Sequence, residues 1–94
     1  MTLRRAIKLA TGQDINTCYA CFDCDVPLAE EMDIPLGSLV QLALLDDEEA
    51  LNSRTLWSDA VLEASRGACK RGLNLPAVMI ALREESLRRR IPET

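Results

Sequence analysis

Three cysteines lie within seven residues, and this spacing limits the possible fold more than any other feature of the sequence. Cys18, Cys21 and Cys24 form the pattern C-x2-C-x2-C in the stretch CYACFDC, and the chain's other cysteine, Cys69, follows forty-five positions later. Disulfides across so short a loop would restrict the unfolded chain little, so metal ligation is the more typical use of such a set in a reducing compartment. A single site made of all four thiols requires a fold that brings Cys69 back to the loop at residues 18–24.

The composition favours packed helices. The 94 residues are enough for one domain, 1–94, and 48% of them are apolar, yet only Tyr19, Phe22 and Trp57 are aromatic. A core of aliphatic side chains with few aromatic ones suits helices better than a sheet, which predicts an all-α fold. The net charge of −4 makes nucleic acid an improbable general partner.

Hydrophobic periodicity predicts about four helices. The first covers residues 2–10 and is stopped by Gly12, and the second begins at Pro35 and is buried on most sides. A third covers 57–66 after a polar stretch in which Asn52-Ser53 or Thr55 supplies the cap. The fourth covers 75–90 with Pro76 in its first turn, and Leu75, Val78, Met79 and Leu82 lie on its core face. DIPLGSLVQLAL and NLPAVMIALREES resemble each other and each follows a cysteine segment, which predicts two pseudo-repeated halves.

Charged residues are expected on the surface. Arg4, Arg5 and Lys8 are interpreted as a solvated face, and the run at 46–49, DDEE, as a solvated acidic turn. No run approaches the ~20 apolar residues of a membrane span, and residues at the N-terminus have no apolar leader core. We therefore expect a cytoplasmic protein without a membrane span.

The cysteine distribution matches one half of a two-cluster pattern. In bacterial ferredoxins the run C-x2-C-x2-C-x3-C-P supplies three thiolates to one cluster and its fourth cysteine to the other cluster. Counting back from Cys69 through the same template reaches Asp59, Leu62 and Ser65, so only the fourth, cross-reaching position is a cysteine. The thiols that remain thus form one complete ligand set. A four-cysteine zinc site and a cluster-free domain with unligated thiols stay open as alternatives.

The stretches TGQDINTCYACFDC, PLAEEMDIP and LNSRTLWSDAVLEASRGACKRGLNLPAVMIALREES resemble the small iron–sulfur subunit of heterodisulfide reductases. They are also similar to the alpha-helical ferredoxin domains of succinate dehydrogenase and fumarate reductase, over about residues 10–87. Members of that family usually carry two 4Fe-4S clusters. The resemblance implies that Cys18, Cys21, Cys24 and Cys69 ligate one cluster. Val26, Asp59, Leu62 and Ser65 stand where the ligands of the second cluster would be, and Lys70 replaces the proline of the second run.

The resemblance implies an electron carrier rather than a catalyst. One 4Fe-4S cluster would serve a redox partner, a flavin or iron–sulfur oxidoreductase subunit. The alternative is a cluster-free or zinc-stapled helical interaction or regulatory module descended from a two-cluster ferredoxin. In either case we expect an ordered helix at 57–66, with Leu62 and Val61 filling the space of the second cluster. We expect Trp57 to be a packing anchor. Phe22 either shields the cluster from water or packs in the core or against a partner.

Overall fold

Helices make up all the regular secondary structure in residues 2–18, 24, 29–69 and 72–90, which are the residues that the computed structural model describes. Six of the helices are α-helical: α1 (Leu3–Thr11), α2 (Leu36–Leu44), α3 (Glu49–Asn52), α4 (Arg54–Trp57), α5 (Asp59–Ala64) and α6 (Leu75–Arg90). Two 3₁₀ helices cover Ile15–Cys18 and Ala29–Glu31. The predicted all-α class is confirmed.

The first helix has the ends that its sequence indicates. Thr2 precedes it with an extended backbone, and its Oγ1 accepts a hydrogen bond from the backbone N–H of Arg5 at 3.2 Å. Gly12 ends it in the left-handed conformation, with φ of 76°, and donates its N–H to the carbonyl of Lys8 at 2.8 Å. The inward face of α1 consists of three buried residues, Leu3, Ala6 and Ile7.

The core lies where α1, α2 and α6 meet. The packing of α1 against α6 is the most extensive contact between any two helices described. The side chains of α6 predicted to face the core are at most 2% exposed; they are Leu75, Val78, Met79 and Leu82. From α2, the core receives Leu36, Leu39, Val40 and Ala43. This helix is half-buried at Leu42 and Leu44, so it is a central helix with a partly covered outer side.

The middle of the chain differs from the prediction, because three short helices replace a loop and one helix. Ser53 accepts a hydrogen bond from the N–H of Thr55 at 3.1 Å and caps α4, which occupies part of the stretch predicted as a loop. Ser58 accepts one from the N–H of Val61 at 3.2 Å and caps α5. Both serines have extended backbones, so each ends one helical turn and begins the next. The prediction of about four helices was therefore too low.

Asp33 joins the segment before α2 to the start of α4. Its Oδ1 accepts hydrogen bonds from Ser53 Oγ at 2.6 Å, Thr55 Oγ1 at 3.0 Å and Thr55 N at 3.2 Å, and its Oδ2 accepts one from Arg54 N at 3.1 Å. These donors, Ser53 first among them, hold the pKa of the Asp33 carboxyl well below its ordinary value, since they favour the charged form. The carboxylate thus acts as a second N-cap for α4, supplied from twenty residues away.

The acidic turn at 46–49 is exposed at Asp46, Glu48 and Glu49, and it also holds two helices in place. Asp46 Oδ1 accepts a hydrogen bond at 2.9 Å from the backbone N–H of Leu3, at the start of α1. Glu48 Oε2 pairs with Arg89 Nη1 at 2.8 Å near the end of α6. The expectation of a merely solvated turn was therefore incomplete.

A buried carboxylate connects the last turns of α6. Glu85 is 8% exposed and pairs with Arg88 at 2.9 Å and with Arg89 at 2.8 Å. The hydrogen bond from Arg89 lowers the pKa of Glu85, and the same contact raises the pKa of Arg89.

None of the helices described is long and apolar enough to cross a membrane.

Candidate metal centre

Cys24 lies inside the hydrophobic core. It is 7% exposed and belongs to the same buried cluster as Ile15, Leu36 and Leu75. A buried thiol among aliphatic side chains is shielded from water, and exclusion of water is one of the means by which proteins tune a bound iron–sulfur group. Of the three clustered cysteines, this is the one whose side chain the structure describes.

Cys69 packs against the same cluster from the opposite half of the chain. It follows α5 in a turn, is half-buried, and its carbonyl accepts a hydrogen bond from the N–H of Gly72 at 3.3 Å. Gly72 has a φ of 86°, a conformation that other residues rarely adopt. The fold therefore brings Cys24 and Cys69, separated by forty-five positions, to one core.

Cys18 is the last residue of the 3₁₀ helix Ile15–Cys18. The position of this short helix is fixed by Ile15, which is fully buried, and by Asp14, whose Oδ1 accepts a hydrogen bond from the N–H of Asn16 at 2.9 Å. Cys21 lies outside the described residues, as do Tyr19, Phe22, Val26, Pro27 and Lys70.

A pair of hydrogen bonds links the two cysteine-bearing segments. Gln13 Oε1 accepts from the backbone N–H of Asn74 at 2.7 Å, and Gln13 Nε2 donates to the carbonyl of Asn74 at 3.2 Å. Gln13 stands five residues before Cys18, and Asn74 stands five residues after Cys69. Each thiol-bearing backbone is thus within five residues, at most about 18 Å of extended chain, of a shared anchor. We call this pair of bonds the Gln13–Asn74 clasp.

The positions aligned with the missing cluster ligands have structural contacts of their own. Asp59 pairs with Arg83 Nη1 at 3.1 Å, and Ser65 is fully buried with its Oγ donating to the carbonyl of Leu62 at 2.7 Å. Helix α5 is present over 59–64, shorter than predicted, and Leu62 is half-buried against the core. Val61 is fully buried and is thus more completely covered than Leu62, which differs from the expectation of a buried Leu62.

Trp57 packs at the surface rather than in the core. It is 38% exposed, its Nε1 donates to the carbonyl of Leu51 at 2.9 Å, and the guanidinium of Arg83 lies 5.7 Å from the ring centroid. Arg83 also donates through Nε to the carbonyl of Leu56 at 2.8 Å, so a carbonyl near the end of α4 has a hydrogen-bond donor. Sequence reasoning did not identify Arg83, because nothing in its neighbourhood in the sequence marks a partner twenty-six positions away.

Among the predicted ligands, Cys24 is buried, Cys69 is half-buried and Cys18 is the last residue of an anchored 3₁₀ helix. In the described part of the chain, no three His, Cys, Asp or Glu side chains form a metal-binding group. Cys21 and the side chain of Cys18 lie outside that part, so the four-thiol set stays a prediction.

No protein-family model matches the sequence, and no curated protein or solved structure matches the chain. The resemblance to heterodisulfide reductase small subunits therefore depends on the sequence motifs quoted above. Its functional implications are taken up as a proposal.

Proposed function

We propose that Cys18, Cys21, Cys24 and Cys69 hold one 4Fe-4S cluster and that the protein carries electrons for a larger oxidoreductase. The observation that supports this most is the convergence of Cys24 and Cys69 on one hydrophobic core. The Gln13–Asn74 clasp adds support, because it anchors the segment leading to Cys18 beside the segment leaving Cys69. When bound, such a cluster supplies a one-electron redox couple.

The chain's own part in this function is ligation and exclusion of water. The apolar surroundings of Cys24 disfavour added charge at the site, and the half-exposed Cys69 leaves one side nearer to solvent and to a partner. The chain contains no histidine, the side chain most often used as a general base, and the proposed role is that of a carrier rather than a catalyst. The redox partner is a flavin or iron–sulfur oxidoreductase subunit, and a reducing compartment such as the cytoplasm suits four thiolates.

The first test is the metal content of protein purified without oxygen. We expect about four irons and four acid-labile sulfides per chain, with a brown absorbance that dithionite bleaches. Zinc at about one per chain in a colourless protein would overturn the electron-transfer proposal in favour of a zinc-stapled interaction or regulatory module. A folded protein that binds neither metal would favour the cluster-free form of that alternative.

A pair of matched variants tests the ligand set. Cys69→Ala removes a half-buried thiol and is expected to lower bound iron to less than a quarter of the wild-type content while the helical circular dichroism is retained. Asp59→Ala alters a position aligned with the second cluster, where the carboxylate is 89% exposed, and is expected to leave iron unchanged. Equal iron loss in both variants, or none in Cys69→Ala, would contradict the assignment.

A further inference from the structure

The outward face of α1 forms a groove with a positive lining. Arg4, Arg5, Lys8 and Leu9 line this depression of about 660 Å³, which also includes Asp14. Leu9, a large aliphatic side chain in the last turn of the helix, is 66% exposed. We call the depression the α1 groove. It combines cationic groups with one apolar contact point.

The α1 groove adjoins a second hollow at the seam between α1 and α6. That hollow, of about 300 Å³, is lined by Ala6, Leu9, Ala10, Glu85 and Arg88. Leu9 borders both depressions, so the two hollows are neighbours on the surface. The charge of Arg88 in the second hollow is paired with Glu85.

None of the three cations of the α1 groove forms an ion pair within the described part of the chain, although the carboxylate of Asp14 lines the groove with them. The ion pairs among the described residues have as their basic partners Arg66, Arg83, Arg88 and Arg89. Arg4 instead donates through Nη1 to the amide oxygen of Asn16 at 3.4 Å. Because the whole chain carries a net charge of −4, this face stands out as a local positive region on an acidic protein.

The position of the arginines within α1 is also unfavourable for the isolated helix. Helix α1 begins at Leu3, so Arg4 and Arg5 lie in its first turn, which has no acidic residue. The helix dipole disfavours positive charge at that end, and only Lys8 lies in the last turn, where the dipole favours it. Helix stability therefore does not account for the two arginines, and ligand binding offers a reason for them.

We propose that the α1 groove binds an extended acidic segment of a partner protein. Carboxylates of the segment would pair with Arg4, Arg5 and Lys8, since guanidinium groups bind carboxylates in a bidentate manner and the lysine ammonium binds them as a point charge. An apolar side chain of the segment would cover Leu9. A concave groove suits a polypeptide better than the flat surface of a bilayer, and the net charge of −4 opposes approach to anionic lipids. This surface is independent of the thiols, so the proposal does not rest on the proposed cluster.

A labelled peptide tests the proposal on the full chain. The probe is a fluorescein-labelled 12-residue peptide of Glu-Glu-Leu repeats, followed by fluorescence anisotropy at low and at moderate salt. We expect saturable binding that weakens with salt, and at least tenfold weaker binding of the matched Gln-Gln-Leu peptide. The double variant Arg5→Gln/Lys8→Gln should raise Kd about tenfold, equivalent to about 1.4 kcal/mol.

Controls separate this site from general attraction between opposite charges. Arg66→Gln removes a basic side chain that is 73% exposed elsewhere on the surface, and it should change Kd less than twofold. Amide shifts on peptide addition should concentrate in residues 2–14. Equal weakening by Arg66→Gln, or no saturable binding at low salt, would overturn the proposal. Self-association without peptide that Arg5→Gln/Lys8→Gln abolishes would also overturn the proposal, because the occupant would then be a second copy of the chain. Binding to phosphatidylserine vesicles that the same double variant abolishes would overturn it as well, because the occupant would then be a membrane.

Discussion

Replacing Asp33 by alanine should destabilise the fold more than the exposure of this residue indicates. The carboxylate accepts four hydrogen bonds, and two of them come from the hydroxyls of Ser53 and Thr55, residues that are 4% and 0% exposed. Loss of an N-cap costs about 0.5–2 kcal/mol. That figure covers the bonds from the backbone N–H groups of Arg54 and Thr55, and the bond from Ser53 Oγ to the charged group adds about 1 kcal/mol after a discount for solvent screening. We expect a loss of about 1.5–3 kcal/mol in total, because the Thr55 hydroxyl can donate its single proton to the carbonyl of Ile34 instead.

Urea unfolding followed by circular dichroism measures this loss, and the melting temperature should fall by roughly 6–24 °C for a chain of this size. The matched control is Asp59→Ala, which removes a carboxylate that is 89% exposed and makes one ion pair. Its effect should stay below about 0.5 kcal/mol. A loss below 0.5 kcal/mol for Asp33→Ala at pH 7, with an unchanged denaturant slope, would refute the view of Asp33 as a second cap.

The pH dependence provides an independent check. The pKa of Asp33 is lower in the folded protein than its ordinary value near 3.8, so its contribution is fully present above pH 3.8 and decreases as the pH falls toward the lowered folded value. The wild type should therefore lose free energy of unfolding on acidification below about pH 4 faster than Asp33→Asn does. Parallel acid profiles for the two proteins would mean that the carboxylate is not preferentially charged in the folded state.

Three further substitutions probe other parts of the fold by urea unfolding. Leu82→Ala opens a cavity at a core position that is 1% exposed and should cost about 2–5 kcal/mol, against less than about 1 kcal/mol for Leu87→Ala, whose side chain is 54% exposed; similar costs would contradict the assigned core. Gly12→Ala should cost about 1 kcal/mol through its φ of 76° alone, because an added Cβ meets nothing within 4 Å, and an unchanged stability would argue against the left-handed cap. Glu85→Gln weakens two ion pairs at a residue that is 8% exposed and should cost about 1–3 kcal/mol at pH 7. Because the pKa of Glu85 is lowered in the fold, the loss of stability in the variant should shrink as the pH falls below 4.5. A loss that stays constant with pH would contradict this account.

Sequence patterns were informative where the determinants of structure are local. The apolar stripe of α6 and the proline in its first turn predicted where the helix begins and which of its faces is buried. Gly12 likewise predicted the end of α1. The division of the third helix at Ser58 was not predicted, because a serine is compatible with a helix interior as well as with a cap.

Contacts between distant residues were not accessible from one sequence. Asp33 reaches α4 across twenty residues, and Gln13 reaches Asn74 across sixty-one. Neither residue is distinctive in its local context. The same limit applies to the candidate metal centre: the spacing of Cys18, Cys21 and Cys24 is visible in the sequence, whereas the approach of Cys69 to the core around Cys24 depends on the fold.

The packing of α1 against α6 has a consequence for synthesis of the chain. Helix α1 precedes the other helices described, and α6, which covers more of its buried face than any other helix, is translated only at residues 75–90. The α1–α6 contact spans most of the chain, which places it among the slower pairings to form. The α1–α6 contact therefore waits for residues 75–90, and until they are made α1 is exposed as an amphipathic helix of the kind that chaperones bind.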